Sequence, residues 1–143
     1  MTVTFCGHRE LDDPSTIRCW LEETVERLIR EGADRFLLGG YGAFDALAAS
    51  VVFQAKQKHT DVRSILVLPY LDRKADASLY DSTLYPPLET VPRRLAIVRR
   101  NEYMVSRSDV VVAYVLYSWG GAAATLRYAE KQQKRIIRYQ KTG

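Results

Sequence analysis

Val110-Val111-Val112-Ala113-Tyr114-Val115 runs almost directly into Tyr117-Ser118-Trp119-Gly120-Gly121, and a helical pattern begins at the glycines. An apolar, β-branched run without polar alternation reads as a strand buried on both faces within a parallel sheet. A strand that passes through a glycine turn into a helix presents free backbone N–H groups and the positive end of the helix dipole. That arrangement suits phosphate. It recurs upstream, where Val3-Thr4-Phe5-Cys6 leads into Gly7-His8-Arg9 and Phe36-Leu37-Leu38 into Gly39-Gly40-Tyr41-Gly42.

Between these turns the chain keeps a regular rhythm. Asp13 caps a helix with Pro14 in its first turn, and Ile17, Leu21, Val25, Leu28 and Ile29 follow at helical spacing until Gly32. Residues 44–58 are again helical, and Ile65-Leu66-Val67-Leu68 is a third strand stopped by Pro69. Helical spacing returns at Leu95, Val98 and Met104, then from Gly120 to Gln133, with Ile136-Ile137 as the last strand. Strands alternating with helices predict an α/β fold with helices on both faces of a mostly parallel sheet. The expectation is one Rossmann-like domain over residues 1–143, with five strands in the order 3-2-1-4-5. Residues 70–93 break the rhythm with Pro86, Pro87 and Pro92 and tyrosines at 70, 80 and 85. A loop of that length reads as a lid or ligand wall.

The bulk composition narrows the class. A chain of 143 residues, 47% hydrophobic and 27% charged, is long enough for one core and too short for two domains. Its formal charge of +4 is spread over Arg93-Arg94, Arg99-Arg100 and the segment from Lys131 to Lys141. Solvated helix faces account for such a spread, which argues against nucleic acid as a partner. Cys6 and Cys19 have neither metal spacing nor a disulfide framework, and both read as buried reduced thiols. No metal site is expected. With neither a signal peptide nor a membrane span, the expected location is the cytoplasm.

In an open parallel sheet, ligands bind beyond the carboxyl ends of strands where the strand order reverses. The order 3-2-1-4-5 places three loops around that point. They supply Gly7, His8 and Arg9, then Gly39, Gly40, Tyr41 and Asp45, then Ser118, Trp119, Gly120 and Gly121. Arg9 offers a planar fork for phosphate, or a surface ion pair to Glu10 or Asp12. Asp45 suits ribose hydroxyls, or complements the helix dipole. Arg100 and Asn101 of the preceding helix reach toward the same crevice, although adjacent helical residues diverge and half of the Arg99-Arg100 pair faces solvent. Tyr80, Tyr85 and Trp119 either stack on a base or staple their loops.

Five segments in this order resemble a known family: Thr4-Phe5-Cys6-Gly7-His8-Arg9, Gly39-Gly40-Tyr41-Gly42-Ala43-Phe44-Asp45, Tyr85-Pro86-Pro87-Leu88-Glu89, Arg99-Arg100-Asn101-Glu102-Tyr103-Met104-Val105 and Ser118-Trp119-Gly120-Gly121-Ala122. They are similar to the YpsA-like proteins of the SLOG superfamily, which includes the LOG phosphoribohydrolases and the DNA-processing protein A core. The resemblance implies a Rossmann-like fold, a nucleotide-type ligand with no required cofactor, and pairing into homo-oligomers. It carries over Gly7, Arg9, Gly39, Gly40, Asp45, Ser118, Gly120 and Gly121 as ligand-binding positions. LOG enzymes carry a PGGxGTxxE motif whose glutamate serves N-glycosidic cleavage. Here Trp119 stands for the proline, Ala123 for the third glycine, and Leu126 and Arg127 for the region of the acid. The expected function is therefore non-catalytic binding of a nucleotide or NAD-derived, ADP-ribose-like ligand, for sensing or sequestration. The alternatives are a phosphoribohydrolase, with Asp45, Glu89, Arg99 and Arg100 as catalytic candidates, and a DNA-binding module.

Overall fold

A computed structural model describes residues 1–71 and 78–141. In chain order its elements are β1 (Thr2–Gly7), α1 (Pro14–Arg30), β2 (Arg35–Leu38), α2 (Ala43–Lys56), β3 (Arg63–Val67) and β4 (Ser82–Leu84). A 3-10 turn (Arg93–Leu95) then leads into α3 (Ala96–Ser106), β5 (Val110–Tyr114), α4 (Gly120–Lys131) and β6 (Arg135–Arg138). The strands form one sheet in the order β4-β3-β2-β1-β5-β6, and every neighbouring pair is parallel.

Local chemistry explains the elements. The α1 helix starts where Asp13 accepts hydrogen bonds from Thr16 N at 3.3 Å and Thr16 Oγ1 at 2.7 Å, with Pro14 in the first turn. Those bonds hold the Asp13 carboxyl below the usual carboxylate range. Ile17, Leu21, Val25 and Leu28 form its buried stripe. In β5 all five residues are buried. Val110, Val112 and Tyr114 join the core beneath α1 and α2, while Val111 and Ala113 join a second core beneath α4. Strict alternation across a strand sends successive side chains to opposite faces, which is why both faces must be apolar.

The expected five strands are six. The additional strand is β4, inside the stretch read as loop, and it pairs Ile65 with Ser82 and Val67 with Leu84 at the edge of the sheet. Three residues are too few to show a period. What fixes them is polar: Asp81 Oδ2 accepts from Ser64 N at 2.7 Å and pairs with Lys56 Nζ at 3.0 Å, and Asp81 N donates to Ser64 O at 2.9 Å. Part of the proposed lid, residues 72–77, lies outside the described residues. A second correction concerns the thiols, since Cys6 is buried but Cys19 is exposed; at helical spacing position 19 falls on the face opposite the buried α1 stripe. Among the described residues no helix is long and apolar enough to cross a membrane.

β1 lies between β2 and β5, so the order reverses there and a crevice opens beyond its carboxyl end. Gly7 sets how closely α2 approaches that end. A Cβ at position 7 would come within 2.3 Å of the Phe44 ring, and Phe44 is itself fully buried. Gly7→Ala should therefore destabilise the fold by about 1–3 kcal/mol through overpacking. Denaturant unfolding checks this, and adding Phe44→Leu should restore part of the loss if the ring is the obstacle.

Candidate functional site

The crevice has a volume of about 540 Å³. Three loops and one helix build it. From the β1 end come Gly7, His8, Arg9 and Glu10, and from the β2–α2 turn Tyr41 and Asp45. The β5–α4 turn supplies Tyr117, Trp119, Gly120 and Gly121, and α3 supplies Ile97, Arg100, Asn101 and Met104. These positions are far apart in sequence and meet because parallel strands end on one edge of the sheet.

Arg100 forms the floor. It is 1% exposed, the largest fully buried side chain, and occupies an apolar stripe of α3 with Ala96 and Met104. Its Nη1 donates to Gly39 O at 2.8 Å and Val67 O at 2.9 Å, and its Nε donates to Asn101 Oδ1 at 2.9 Å. Gly39 is tightly enclosed there: an added Cβ would lie 3.0 Å from the guanidinium carbon and 3.1 Å from Asp45 Oδ2, so a side chain would have to push these groups aside. The Arg100 and Asp45 side chains thus converge on Gly39. Asp45 Oδ2 also accepts from Tyr41 N at 3.1 Å.

The two helix N-termini at the crevice differ. Neither has a side-chain cap, but the first turn of α2 carries the Asp45 carboxylate, which takes Tyr41 N–H, and Ala43 N there donates to Arg9 O at 2.8 Å. At α4 no side chain caps the first turn, which holds no acidic residue. Added Cβ atoms at Gly120 and Gly121 would meet nothing within 4 Å. Gly120 has φ +90°, a conformation that glycine adopts without strain. Arg9 lies over the Tyr41 ring at 4.6 Å and hydrogen-bonds its hydroxyl.

His8 is 6% exposed. Its Nε2 accepts from Leu116 N at 2.8 Å, so the ring is neutral with its proton on Nδ1. Burial pushes its pKa below the ordinary imidazole value. Cys6, also lining the crevice, has its thiol pushed up to about 12, chiefly by burial and then by the negative charge of Asp45, with Arg138 opposing. It is a protonated thiol at neutral pH.

Other expected site residues lie elsewhere. Tyr80 packs against the core beneath α1 and α2, with its hydroxyl 3.7 Å from where a Cβ of Gly40 would stand. Tyr85 and Glu89 line a separate groove with Tyr70 and Arg93. Arg99 points outward to Glu102 at 2.8 Å. Ser118 O accepts from Arg127 Nη1 at 3.0 Å, on the exposed side of the turn. Tyr117, read within the glycine turn but not singled out for the site, lies two residues before Trp119 and lines the crevice, as does Thr125, whose hydroxyl donates to Gly121 O at 2.9 Å. Among the described residues no three His, Cys, Asp or Glu side chains cluster so as to hold a metal ion.

With this geometry established, comparison with known proteins places the chain. It is 29% identical over 129 residues to a UPF0398 protein of Halalkalibacterium halodurans, covering 79% of this chain and 67% of that one. It is 26% identical over 132 residues to the uncharacterized SPbeta prophage-derived protein YoqJ of Bacillus subtilis, covering 75% and 76%. Both matches agree with the resemblance to the YpsA-like proteins. No protein-family model matches it. Its fold matches DNA processing protein A from Helicobacter pylori with a TM-score of 0.70 at 19% identity, over 99% of this chain and 66% of that one. A molybdenum cofactor carrier protein from Chlamydomonas reinhardtii matches at 0.61 and 20%, over 96% and 74%. The chain thus spans slightly under two thirds of that DNA processing protein A chain. That protein binds single-stranded DNA, and this finding overturns the expectation that nucleic acid is an unlikely partner. The spread of surface charge used for that expectation does not separate this fold from a strand-binding one.

Two outcomes follow from the buried groups. Arg100→Met should cost about 3–5 kcal/mol, because it strands two carbonyls and the Asp45 charge; urea unfolding measures it, and Asp45→Asn in the same chain should recover part. A thiol reagent at mildly alkaline pH should label Cys19 alone in the folded protein and both cysteines in denaturant.

Proposed function

We propose that the crevice binds a nucleotide or NAD-derived ligand of the ADP-ribose type without converting it, in a sensing or sequestering role within the cytoplasm. The observation that carries this reading is the open N-terminus of α4. Its first turn has no side-chain cap, borders the crevice through Gly120 and Gly121, and favours an anion through free N–H groups and the helix dipole. Arg9 adds a guanidinium on the facing loop.

The buried carboxylate of the crevice, Asp45, favours binding without turnover. Glycosidic cleavage needs a group to activate water or stabilise an oxocarbenium-like centre. Among the described residues the crevice carboxylates are Glu10 and Asp45. Asp45 is engaged by Tyr41 N–H and converges with Arg100 on Gly39. Glu89 belongs to the other groove. The carrier protein among the structural neighbours shows that this fold accommodates a protein that holds a small molecule.

A second reading follows from the structural neighbour that binds single-stranded DNA. A strand end carries the same phosphate and base chemistry as a nucleotide, so one crevice suits both.

The test is ultrafiltration of the protein with AMP, ADP-ribose, NAD, cyclic ADP-ribose isomers and an oligothymidylate, with mass spectrometry of both fractions. Intact nucleotide should be retained, and Gly121→Asp should weaken retention roughly tenfold or more by placing a carboxylate where the ligand anion sits. That variant should keep its thermal stability, since its Cβ enters open space and an acidic residue suits a helix N-terminus. Free base with ribose 5-phosphate in the filtrate would sink the binding-only reading. Selective oligothymidylate retention with a steep salt slope would replace the small ligand by a strand.

A further inference from the structure

Three aromatic rings form a column along the β5–α4 turn. The His8 imidazole lies face to face with Tyr117, centroids 3.8 Å apart and planes 5° apart. Tyr117 stacks in turn on Trp119 at 4.2 Å and 25°. The inner end is anchored in the core, where Tyr114 meets the imidazole edge-on at 5.4 Å. The outer end is Trp119, 67% exposed on the wall of the crevice. Tyr117 covers one indole face, so the opposite face is left to solvent.

We infer that the open face of Trp119 is the stacking surface for a planar aromatic ring of the crevice's ligand, with His8 as the residue that positions the column. This rests on the nucleotide reading above and adds what part of the ligand is held there. The ring adjoins the first turn of α4, so a base on Trp119 and a phosphate at Gly120 and Gly121 belong to one small molecule. Stacking is tolerant of base identity because every base has a π-face. The class is therefore a nucleotide recognised by ring and anion together.

His8 fixes the column because it is tied at both ends. Its backbone N donates to Tyr114 O at 3.3 Å, and its Nε2 accepts from Leu116 N at 2.8 Å. Among the described residues no buried side-chain polar atom lacks a partner, so Nδ1–H remains accessible. Protonation at Nε2 abolishes the lone pair that holds Leu116 and releases the turn. The rings facing His8 are the phenols of Tyr114 and Tyr117, and the charged side chains sharing its crevice are Arg9, Glu10, Asp45 and Arg100. The column is set while the imidazole is neutral, and it loosens as pH falls through the imidazole's lowered pKa.

The chain has two tryptophans, and the other, Trp20, packs edge-on against Tyr139 at 5.2 Å, so Trp20→Phe leaves Trp119 as the sole indole reporter. The probes are ADP-ribose, whose pyrophosphate diester does not titrate near neutrality, and ribose 5-phosphate, which lacks a base. ADP-ribose should quench Trp119 emission and bind roughly tenfold or more tightly than ribose 5-phosphate. Trp119→Ala should bring ADP-ribose down to the affinity of ribose 5-phosphate. Affinity for ADP-ribose should fall several-fold as the pH is taken from neutrality down through the imidazole's lowered pKa, whereas His8→Gln, whose amide oxygen accepts Leu116 N–H without titrating, should give a flat profile. Equal ADP-ribose affinity with and without the indole overturns the stacking surface and leaves the nucleotide reading standing. A flat wild-type profile overturns the role of His8, and failure of both probes to bind overturns both readings together.

Discussion

The crevice hangs on the burial of one guanidinium. Taking Arg100 out of water costs several kcal/mol unless its donors are met. They are met by Gly39 O, Val67 O and Asn101 Oδ1. Two of these acceptors are backbone carbonyls at or just beyond the carboxyl ends of β2 and β3, so α3 is tied to the edge of the sheet where a ligand would lie. The consequences pass along the chain of contacts. Gly39 is tightly enclosed by the guanidinium, Asp45 comes to the same point, and its carboxylate orders the β2–α2 turn by accepting Tyr41 N–H. Tyr41 in turn holds Arg9 by its ring face and its hydroxyl. A side chain on the third helix thereby positions the cation on the first loop.

That chain of contacts also distinguishes two glycine turns that look alike in sequence. Gly39-Gly40-Tyr41-Gly42 leads into a first turn that carries the Asp45 carboxylate, which takes Tyr41 N–H, while Ala43 N–H goes to Arg9 O. Trp119-Gly120-Gly121 leads into a first turn without an acidic residue, and Gly120 and Gly121 face unfilled space. A helix N-terminus attracts an anion only while its donors are uncommitted. The crevice is asymmetric in charge, with an acid-free helix N-terminus on the β5 side and a carboxylate in the first turn on the β2 side.

Much of this was legible in the residues. Buried parallel strands announce themselves as β-branched runs, and the capped, striped pattern from Asp13 to Leu28 defines α1 without ambiguity. The strand β4 was not legible, because three residues carry no period and their place depends on Asp81 meeting Ser64 and Lys56. Gly7, read as a ligand contact, also has a packing reason that only Phe44 reveals. Arg100 was named for the crevice, but its function as a strap was hidden. The available signal was a charged residue four positions from both Ala96 and Met104 on an otherwise apolar face. Tyr117 was overlooked because its partner His8 is more than a hundred residues away, a proximity created only by β1 pairing with β5.

The state of the titratable groups argues for recognition over chemistry. A reaction in this crevice would need a nucleophile, a base or an acid with a free lone pair or a transferable proton near neutrality. The Cys6 thiol is pushed up to about 12 and is a poor nucleophile in that form. The His8 lone pair is occupied by Leu116 N–H, and Asp45 is occupied by Tyr41 N–H beside a buried guanidinium. Each group does structural work that proton transfer would undo. The groups left open at the crevice include the first-turn donors of α4, the outer face of Trp119 and the Glu10 carboxylate, and the first two suit recognition of charge and shape, on which the proposed binding reading rests.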